Sequence, residues 1–392
     1  MGEWKSFQVG EIGKVITGKT PKTSISDNYG GYIPFLTPSD DMSVKYVRKT
    51  AKTLTEKGLS EVKNAILPAN SVCVSCIGSD LGKVVITTRP TVTNQQINSI
   101  VVDEARFDIS FVYYAMRILG KKLNFISKTS TAVPIVNKSS FSSYEIECPS
   151  LKEQKQIAAV LSVLDAKIEC NRMINDNLQQ QLFSLYENMA MTSPCLKEYT
   201  LSNLCDFQEG YVNPPQTHPE YFDGEVKWLR AVDINESFII ETSRTLTKAG
   251  FESAKKSALL FEPSTIAISK SGTIGRLGII ADYMCGNRAV INIAPHDTNM
   301  LAFIYCFLKS KQREFPDMAV GSVQKNLYVS LLEPLSVSVP DNESLTAFNA
   351  VGASILGMIH NNCVENTDLA NLRDTILPKL MSGEIDASAV QL

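Results

Sequence analysis

The sequence predicts an α+β chain made of two similar mixed α/β modules, each followed by one long helix. Two observations predict this. The first is an internal repeat. Thr53-Leu54-Thr55 with Gly58 returns as Thr245-Leu246-Thr247 with Gly250, and Tyr29 returns as Tyr221. Asp40, Gly78, Gly82, Asn94 and Pro149 return as Asp233, Gly272, Gly275, Asn287 and Pro340. Thr53 to Thr245 is 192 residues and Pro149 to Pro340 is 191. An offset this constant and this long means two copies of a module, each large enough to bury its own core. The second observation is a heptad pattern that follows each copy.

The modules open with period-two runs broken by Gly, Pro, Asn and Asp, such as Lys83–Thr88 and Gln96–Val102, which read as strands. Short helices are expected near Ile109–Leu119 and Leu301–Lys309. After Pro149 the apolar steps alternate four and three through Ile157, Leu161, Leu164, Ile168, then Leu178, Leu182, Leu185 and Met189, with Asn171 and Asn175 between. After Pro340 the series is Phe348, Gly352, Ile355, Ile359, Asn362, Asn366, Leu369, Leu372 or Arg373, Ile376 and Leu380. The polar step is duplicated with the apolar one, Asn171 matching Asn362 and Asn175 matching Asn366. Seams of roughly 35 residues extend roughly 50 Å, beyond the edge of a module of this size, so the two helices are expected to pair with each other. Pro378 marks a bend or end of the second. The expected boundaries are 1–150 for the first module, 151–192 for its helix, 193–341 for the second module, 342–385 for its helix and 386–392 for a tail.

Composition narrows the function. No apolar run is long enough to span a bilayer, Met1–Lys5 opens no signal-peptide core, and the nine scattered cysteines read as reduced thiols, which together predict a cytoplasmic protein with no membrane partner. Cys73 and Cys76 lie in a strand-like run whose repeat partner has no cysteine, so they read as core residues and not as a metal or redox pair. The histidines His218, His296 and His360 stand apart, without ligand spacing, and no metal is expected. Asn213-Pro214-Pro215-Gln216 lacks the aromatic of an amino-methylating loop, and Gly78 to Lys83 departs from a phosphate loop in its glycine spacing and in Val84. With no nucleophile and no cofactor motif, the chain reads as non-catalytic. Charge is uneven: residues 1–150 hold eighteen Lys/Arg against thirteen Asp/Glu, while 196–341 hold fourteen against seventeen. The first module is therefore the more electropositive.

Three polar sites recur in both copies. One is Ser79-Asp80-Leu81-Gly82-Lys83 against Lys270, Ser271, Gly272, Thr273, Ile274, Gly275 and Arg276. Another is Asn94-Gln95-Gln96 against Asn287-Arg288-Ala289. The third is Ser130-Thr131-Ala132 against Gly321-Ser322-Val323-Gln324-Lys325. Thr20 in the Gly18–Pro21 turn and Arg230 after the Val226–Leu229 run are further candidates. Asn and Gln can read adenine edges, Arg and Lys guanine, and Ser or Thr either bases or phosphates, while glycines let backbone N–H groups approach phosphate. Glycines persist between copies while the would-be reading residues differ, which suits a ligand with two similar, non-identical halves.

At these residues the chain resembles the specificity subunit of type I restriction–modification enzymes, over its whole length. The resemblance rests on Thr17-Gly18-Lys19-Thr20-Pro21 with Ile33-Pro34-Phe35, on the Ser269–Arg276 loop, on the helix start Leu151–Ala158, and most specifically on the tail Ile376–Ile385. The second helix start, Glu343–Phe348, departs from that pattern. The resemblance implies two target-recognition domains, each reading half of a split double-stranded DNA site, held apart by an antiparallel coiled coil with pseudo-two-fold symmetry. It implies two modification subunits on that scaffold, which bring S-adenosylmethionine, and restriction subunits for cleavage. This chain itself would need no cofactor. The competing classes are a DNA adenine methyltransferase with its own catalysis and a coiled-coil adaptor that binds only proteins.

A matched deletion of one heptad from each helix, Ile168–Ile174 with Ile359–Glu365, tests the expected spacer. It shortens a paired rod by roughly 10 Å, about three base pairs at about 3.4 Å each. Methylome sequencing of a host carrying a folded variant and its partner should show a changed gap and unchanged bases in both half-sites. An unchanged gap refutes the spacer; altered bases would assign the helices to the reading surface.

Overall fold

The computed structural model describes residues 4–78, 81–129, 135–322 and 324–390, apart from the side chains of 126–129. They form two compact units. The first holds residues through Glu169 together with Leu369 onward, and the second holds Cys170–Asp368. The central long helix, Leu151–Thr192, and the distal one, Asn342–Met381, each contribute to both units.

In the first unit a five-stranded sheet has the order Gly13–Thr17, Ile97–Val102, Val72–Ser75, Val84–Thr87, Tyr46–Val47. The two central strands, Val72–Ser75 and Val84–Thr87, are buried on both faces, which explains their unbroken Val/Ile/Thr/Cys composition. Cys73 and Cys76 are core residues, and burial pushes the Cys73 thiol up to about 12. The strand expected over Lys83–Thr88 is Val84–Thr87, because Gly82 at φ +90° still belongs to the hairpin loop. That expected over Gln96–Val102 is Ile97–Val102, because Gln96 is held in a turn by Asn94. A second sheet orders Lys52–Leu54, Tyr29–Leu36, Thr91–Thr93 and Ile66–Leu67.

Beneath the larger sheet lies the helix Ile109–Thr129, with Phe111 and Tyr114 fully buried. It runs ten residues past the expected Leu119 end. Gly120-Lys121-Lys122 looks like a helix stop in sequence. In the fold Gly120 is a contact: a Cβ on it would stand 2.1 Å from the Gly82 carbonyl oxygen, so two backbones meet there.

The second unit repeats this plan. Its five-stranded sheet runs Cys205–Glu209, Val290–Pro295, Ile266–Ser269, Leu277–Ile280, Phe238–Ile239, with the buried helix Leu301–Lys311. The Thr-x-x-Gly repeats that mark the duplication have a shared physical cause. Thr55 and Thr247 each accept the N–H of the glycine three residues on at 3.2 Å, capping a short helix. A Cβ on Gly58 would lie 2.2 Å from the Asn28 oxygen, and one on Gly250 2.1 Å from the Tyr221 oxygen.

In the second unit the long helices meet antiparallel across buried amides. Asn171 Nδ2 donates to Asn366 Oδ1 at 3.0 Å and to Glu365 Oε2 at 2.7 Å. Asn362 Nδ2 donates to Asn175 Oδ1 at 2.8 Å. The duplication interchanges these pairs, Asn171–Asn366 mapping onto Asn362–Asn175. Leu182, Met189, Phe348, Ile355 and Ile359 are buried alongside, and Leu178 is half-buried. Leu185, expected in the seam, is instead exposed, and Tyr186 packs against Phe303 and Phe348 in its place.

In the first unit Ile157, Leu161 and Ile168 are buried, while Leu164 and Leu369 are half-buried. At the ambiguous position Leu372 is exposed and Arg373 turns inward, donating to Asp165 Oδ1 at 2.6 Å; Tyr114 donates to the other oxygen at 2.5 Å. Lys45 lies against the same Tyr114 ring, and burial pushes its ammonium down to about 8. Pro378 lies in the last turn of the distal helix, which ends at Met381. The tail helix turn Ala387–Ala389 follows.

Two glycines of the distal helix give opposite expectations. A Cβ on Gly352 would stand 2.6 Å from the Ala302 Cβ, whereas one on Gly357 meets nothing within 4 Å. Gly357→Ala should stabilise by about 0.5–1 kcal/mol through helix propensity. Gly352→Ala has the same propensity gain but should destabilise by about 1–3 kcal/mol through overpacking. Chemical denaturation of both variants checks this; equal signs would refute the packing at Gly352.

Candidate nucleic-acid interface

In each module one residue at the end of a central strand bonds both the Asn-led turn and a segment that follows the third candidate site in sequence. In the first module Cys76 donates its N–H to the Gln96 oxygen at 2.8 Å and accepts the Val136 N–H at 2.9 Å. This joins the hairpin loop after Val72–Ser75, the Asn94–Gln96 turn and the segment after residue 134. In the second module Lys270 does the same, donating to the Ala289 oxygen at 2.7 Å and accepting the Leu327 N–H at 2.9 Å. The sequence repeat is thus also a repeat of a three-loop junction.

A fourth segment joins at each glycine that follows the first sheet strand. A Cβ on Gly18 would lie 2.1 Å from the Asn94 oxygen, and one on Gly210 2.2 Å from the Asn287 oxygen. No other residue type fits there, which makes Gly18 and Gly210 a repeat pair that sequence comparison had left aside. Beyond Gly18, Lys19 donates its N–H to Thr93 at 2.8 Å, and the exposed Thr20 hydroxyl donates to Gln95 Oε1 at 2.6 Å.

The candidate residues fall into distinct roles. Asn94 is buried and its Oδ1 accepts the Gln96 N–H at 3.2 Å; Asn287 likewise accepts the Ala289 N–H at 3.0 Å. Both hold their turns in shape. Gln96 is half-buried, with its Oε1 accepting from Asn94 Nδ2. Thr20, Lys83 and Gln95 are exposed in the first module, as are Thr273, Arg276, Arg288 and Lys325 in the second. Ser271 is half-buried. Ser79, Ser130 and Thr131 lie outside the described residues.

The hairpin tips owe their shape to glycine. Gly78 and Gly272 have φ of +82° and +75°, with open space around them. Gly82 and Gly275 also have positive φ, at +90° and +85°. Beside the first tip, Leu81, Gly82, Lys83, Gly120, Lys121, Asn124 and Phe125 line a shallow cleft.

Two candidate cations are held internally. Arg230 Nη2 donates to Ser243 Oγ at 2.6 Å, its Nε lies 3.6 Å from Asp233 Oδ2, and its guanidinium lies over Trp228. Lys270 Nζ donates to Glu209 Oε1 at 2.9 Å and lies 4.8 Å from the Tyr328 ring centroid. Tyr211 donates to the other Glu209 oxygen at 2.9 Å, which raises the pKa of its hydroxyl. Glu209 and Tyr328 had no sequence signal, since each lies far along the chain from Lys270, the residue it fastens.

Among the described residues no group of three His, Cys, Asp or Glu side chains is placed to hold an ion. Two histidines nevertheless have acidic partners that sequence spacing did not suggest: His218 Nδ1 lies 2.8 Å from Glu220, and His296 Nε2 lies 3.3 Å from Asp206, both on the surface. Among the described residues no helix is long and apolar enough to cross a membrane.

Comparison with known proteins agrees with this duplicated site. The family profile described as type I restriction modification DNA specificity domain matches twice, over residues 1–180 and 196–367. The MjaIX specificity subunit of Methanocaldococcus jannaschii is 26% identical, covering 98% of this chain and 94% of that protein. The HindI specificity subunit of Haemophilus influenzae is 33% identical over 46% of this chain and 41% of its own length. In fold, the chain is similar to the crystal structure of a type I restriction–modification S subunit from M. genitalium, with a TM-score of 0.50 and 18% identity over 97% of this chain and 96% of that one. The chain belongs to the type I restriction modification DNA specificity family and is a non-catalytic specificity subunit.

Proposed function

We propose that each three-loop junction is the DNA-reading edge of its module, so that residues 1–150 read one half of a bipartite double-stranded target and residues 193–341 the other. The observation that supports this is the backbone junction repeated at Cys76 and at Lys270, which in each module bonds loops whose polar side chains differ between the copies. The first edge would present Thr20, Lys83 and Gln95, and the second Thr273, Arg276, Arg288 and Lys325. Side chains of these types suit base edges and phosphates.

The subunit assembles with methylase and restriction subunits. We propose that two modification subunits hold the long helices in the cytoplasm and supply S-adenosylmethionine, which this chain does not bind. Adenine methylation at the target then needs both proteins, and the purified chain alone should transfer no methyl group.

The modular reading has a direct test. In the complex with modification subunits, Arg276→Ala or Arg288→Ala should weaken DNA binding. If the lost contact is bidentate to a base, discrimination at one position of the second half-site should fall by about 1–3 kcal/mol. If it is to phosphate, all sequences should weaken alike and the salt dependence should flatten. Preference in the first half-site should not change in either case. Methylation of duplex libraries randomised in each half in turn reads this out, and an altered first-half preference would overturn the assignment.

A further inference from the structure

The two junctions share their backbone bonds but not their fastenings. In the first module the strand end is tied by neutral groups: Thr17 Oγ1 donates to Asn98 Oδ1 at 2.6 Å, and Asn98 Nδ2 donates to the Val136 oxygen at 3.1 Å. The junction residue Cys76 has a buried thiol that meets the Val74 oxygen and Asn98, both neutral partners. In the second module the junction residue is Lys270, and the tie is ionic. Its ammonium meets Glu209, the last residue of Cys205–Glu209, with the two side chains only 13% and 19% exposed. Through its N–H, carbonyl, ammonium and ring contact, Lys270 touches the Asn287–Ala289 turn, the Leu327–Tyr328 segment and the strand that leads into Gly210.

We infer that Lys270 and Glu209 form a buried ionic fastener that sets the geometry of the second reading edge, and that Lys270 is a positioning residue for half-site specificity and not a DNA contact. The reasoning is electrostatic. A cation aimed at phosphate is useful when its charge is available, and this one is matched by a carboxylate from a neighbouring strand in a largely desolvated place. Removing either partner of such a pair leaves the other charge uncompensated, so both single losses disturb the same loops. A phosphate-contacting lysine behaves otherwise: losing its acidic neighbour frees the cation and strengthens DNA binding.

The inference rests on the DNA-reading role proposed above. A wild-type complex that methylates no sequence selectively would defeat that role, whereas the comparison below defeats only the fastener. Full-length chain is assembled with modification subunits and assayed by methyl transfer to duplexes matched or mismatched in either half. Lys270→Met and Glu209→Gln should each lower second-half discrimination about tenfold, as expected for loss of a charged hydrogen bond, with first-half discrimination and the salt slope unchanged. The two losses should not multiply in the double variant.

The exchanged pair, Glu209→Lys with Lys270→Glu, keeps the bond if the single variants fold poorly, and should recover most of the lost discrimination. Tighter DNA binding by Glu209→Gln, or a salt slope reduced by about one contact in Lys270→Met, would overturn the inference. So would second-half discrimination left intact by either single variant, or an exchanged pair that recovers none of it.

Discussion

The amides buried between the long helices are the constraint on which the helix pairing depends. An apolar heptad seam is satisfied by any shift of seven residues, so leucines and isoleucines alone leave the pairing degenerate. Asn171, Asn175, Asn362 and Asn366 remove that freedom. Paired as Asn171–Asn366 and Asn175–Asn362, each couple shares one amide hydrogen bond. Slid by one heptad, both asparagine pairs are broken, at about 1–3 kcal/mol for every buried group left unpaired. The duplication supplied both pairs at once, because a seam asparagine in one copy meets its own repeat neighbour in the other. A register device that appears twice by descent therefore needs no separate invention.

The same history explains the two loop junctions. What persists between copies is backbone chemistry: the strand end that bonds two loops, the glycine that lets a third approach, and the Asx turn at Asn94 and Asn287. These fix where loops stand and are indifferent to most side chains. What diverges is the exposed set, Gln95 against Arg288 and Lys83 against Arg276. A scaffold that keeps position in its main chain can vary its side chains without refolding.

Much of this was legible in the sequence because it is periodic or local. Alternation of two gave the strands, steps of three and four gave the helices, and the constant offset gave the duplication. Sequence reading failed where a decision depended on a partner far along the chain. Leu185 fits the heptad by type, yet Tyr186 packs inward because Phe303 awaits it, and the choice the sequence leaves open between Leu372 and Arg373 is decided by Asp165. The helix expected near Ile109–Leu119 continues through Gly120, where the distant Gly82 backbone packs against it. Lys270 and Arg230 were singled out as basic residues without their partners, and only the fold brings Glu209 and Asp233 beside them.

That last case bears on how charge should be counted. The second module has more acidic than basic residues, and by net charge alone it is a poor surface for a polyanion. Net charge governs long-range approach, but at physiological salt a field is screened within about 8 Å, so a binding edge responds to the charges lying on it. Some of the module's carboxylates are spent inside: Glu209 on Lys270, Asp233 on Arg230, Glu236 on Lys309. Each such pair cancels within the fold and adds nothing to the edge. Arg276, Arg288 and Lys325 stay exposed at the loops themselves. The count over the whole module thus differs in sign from the exposed basic residues at its loops, and for a polyanion held against those loops, as proposed, the nearer charges would dominate.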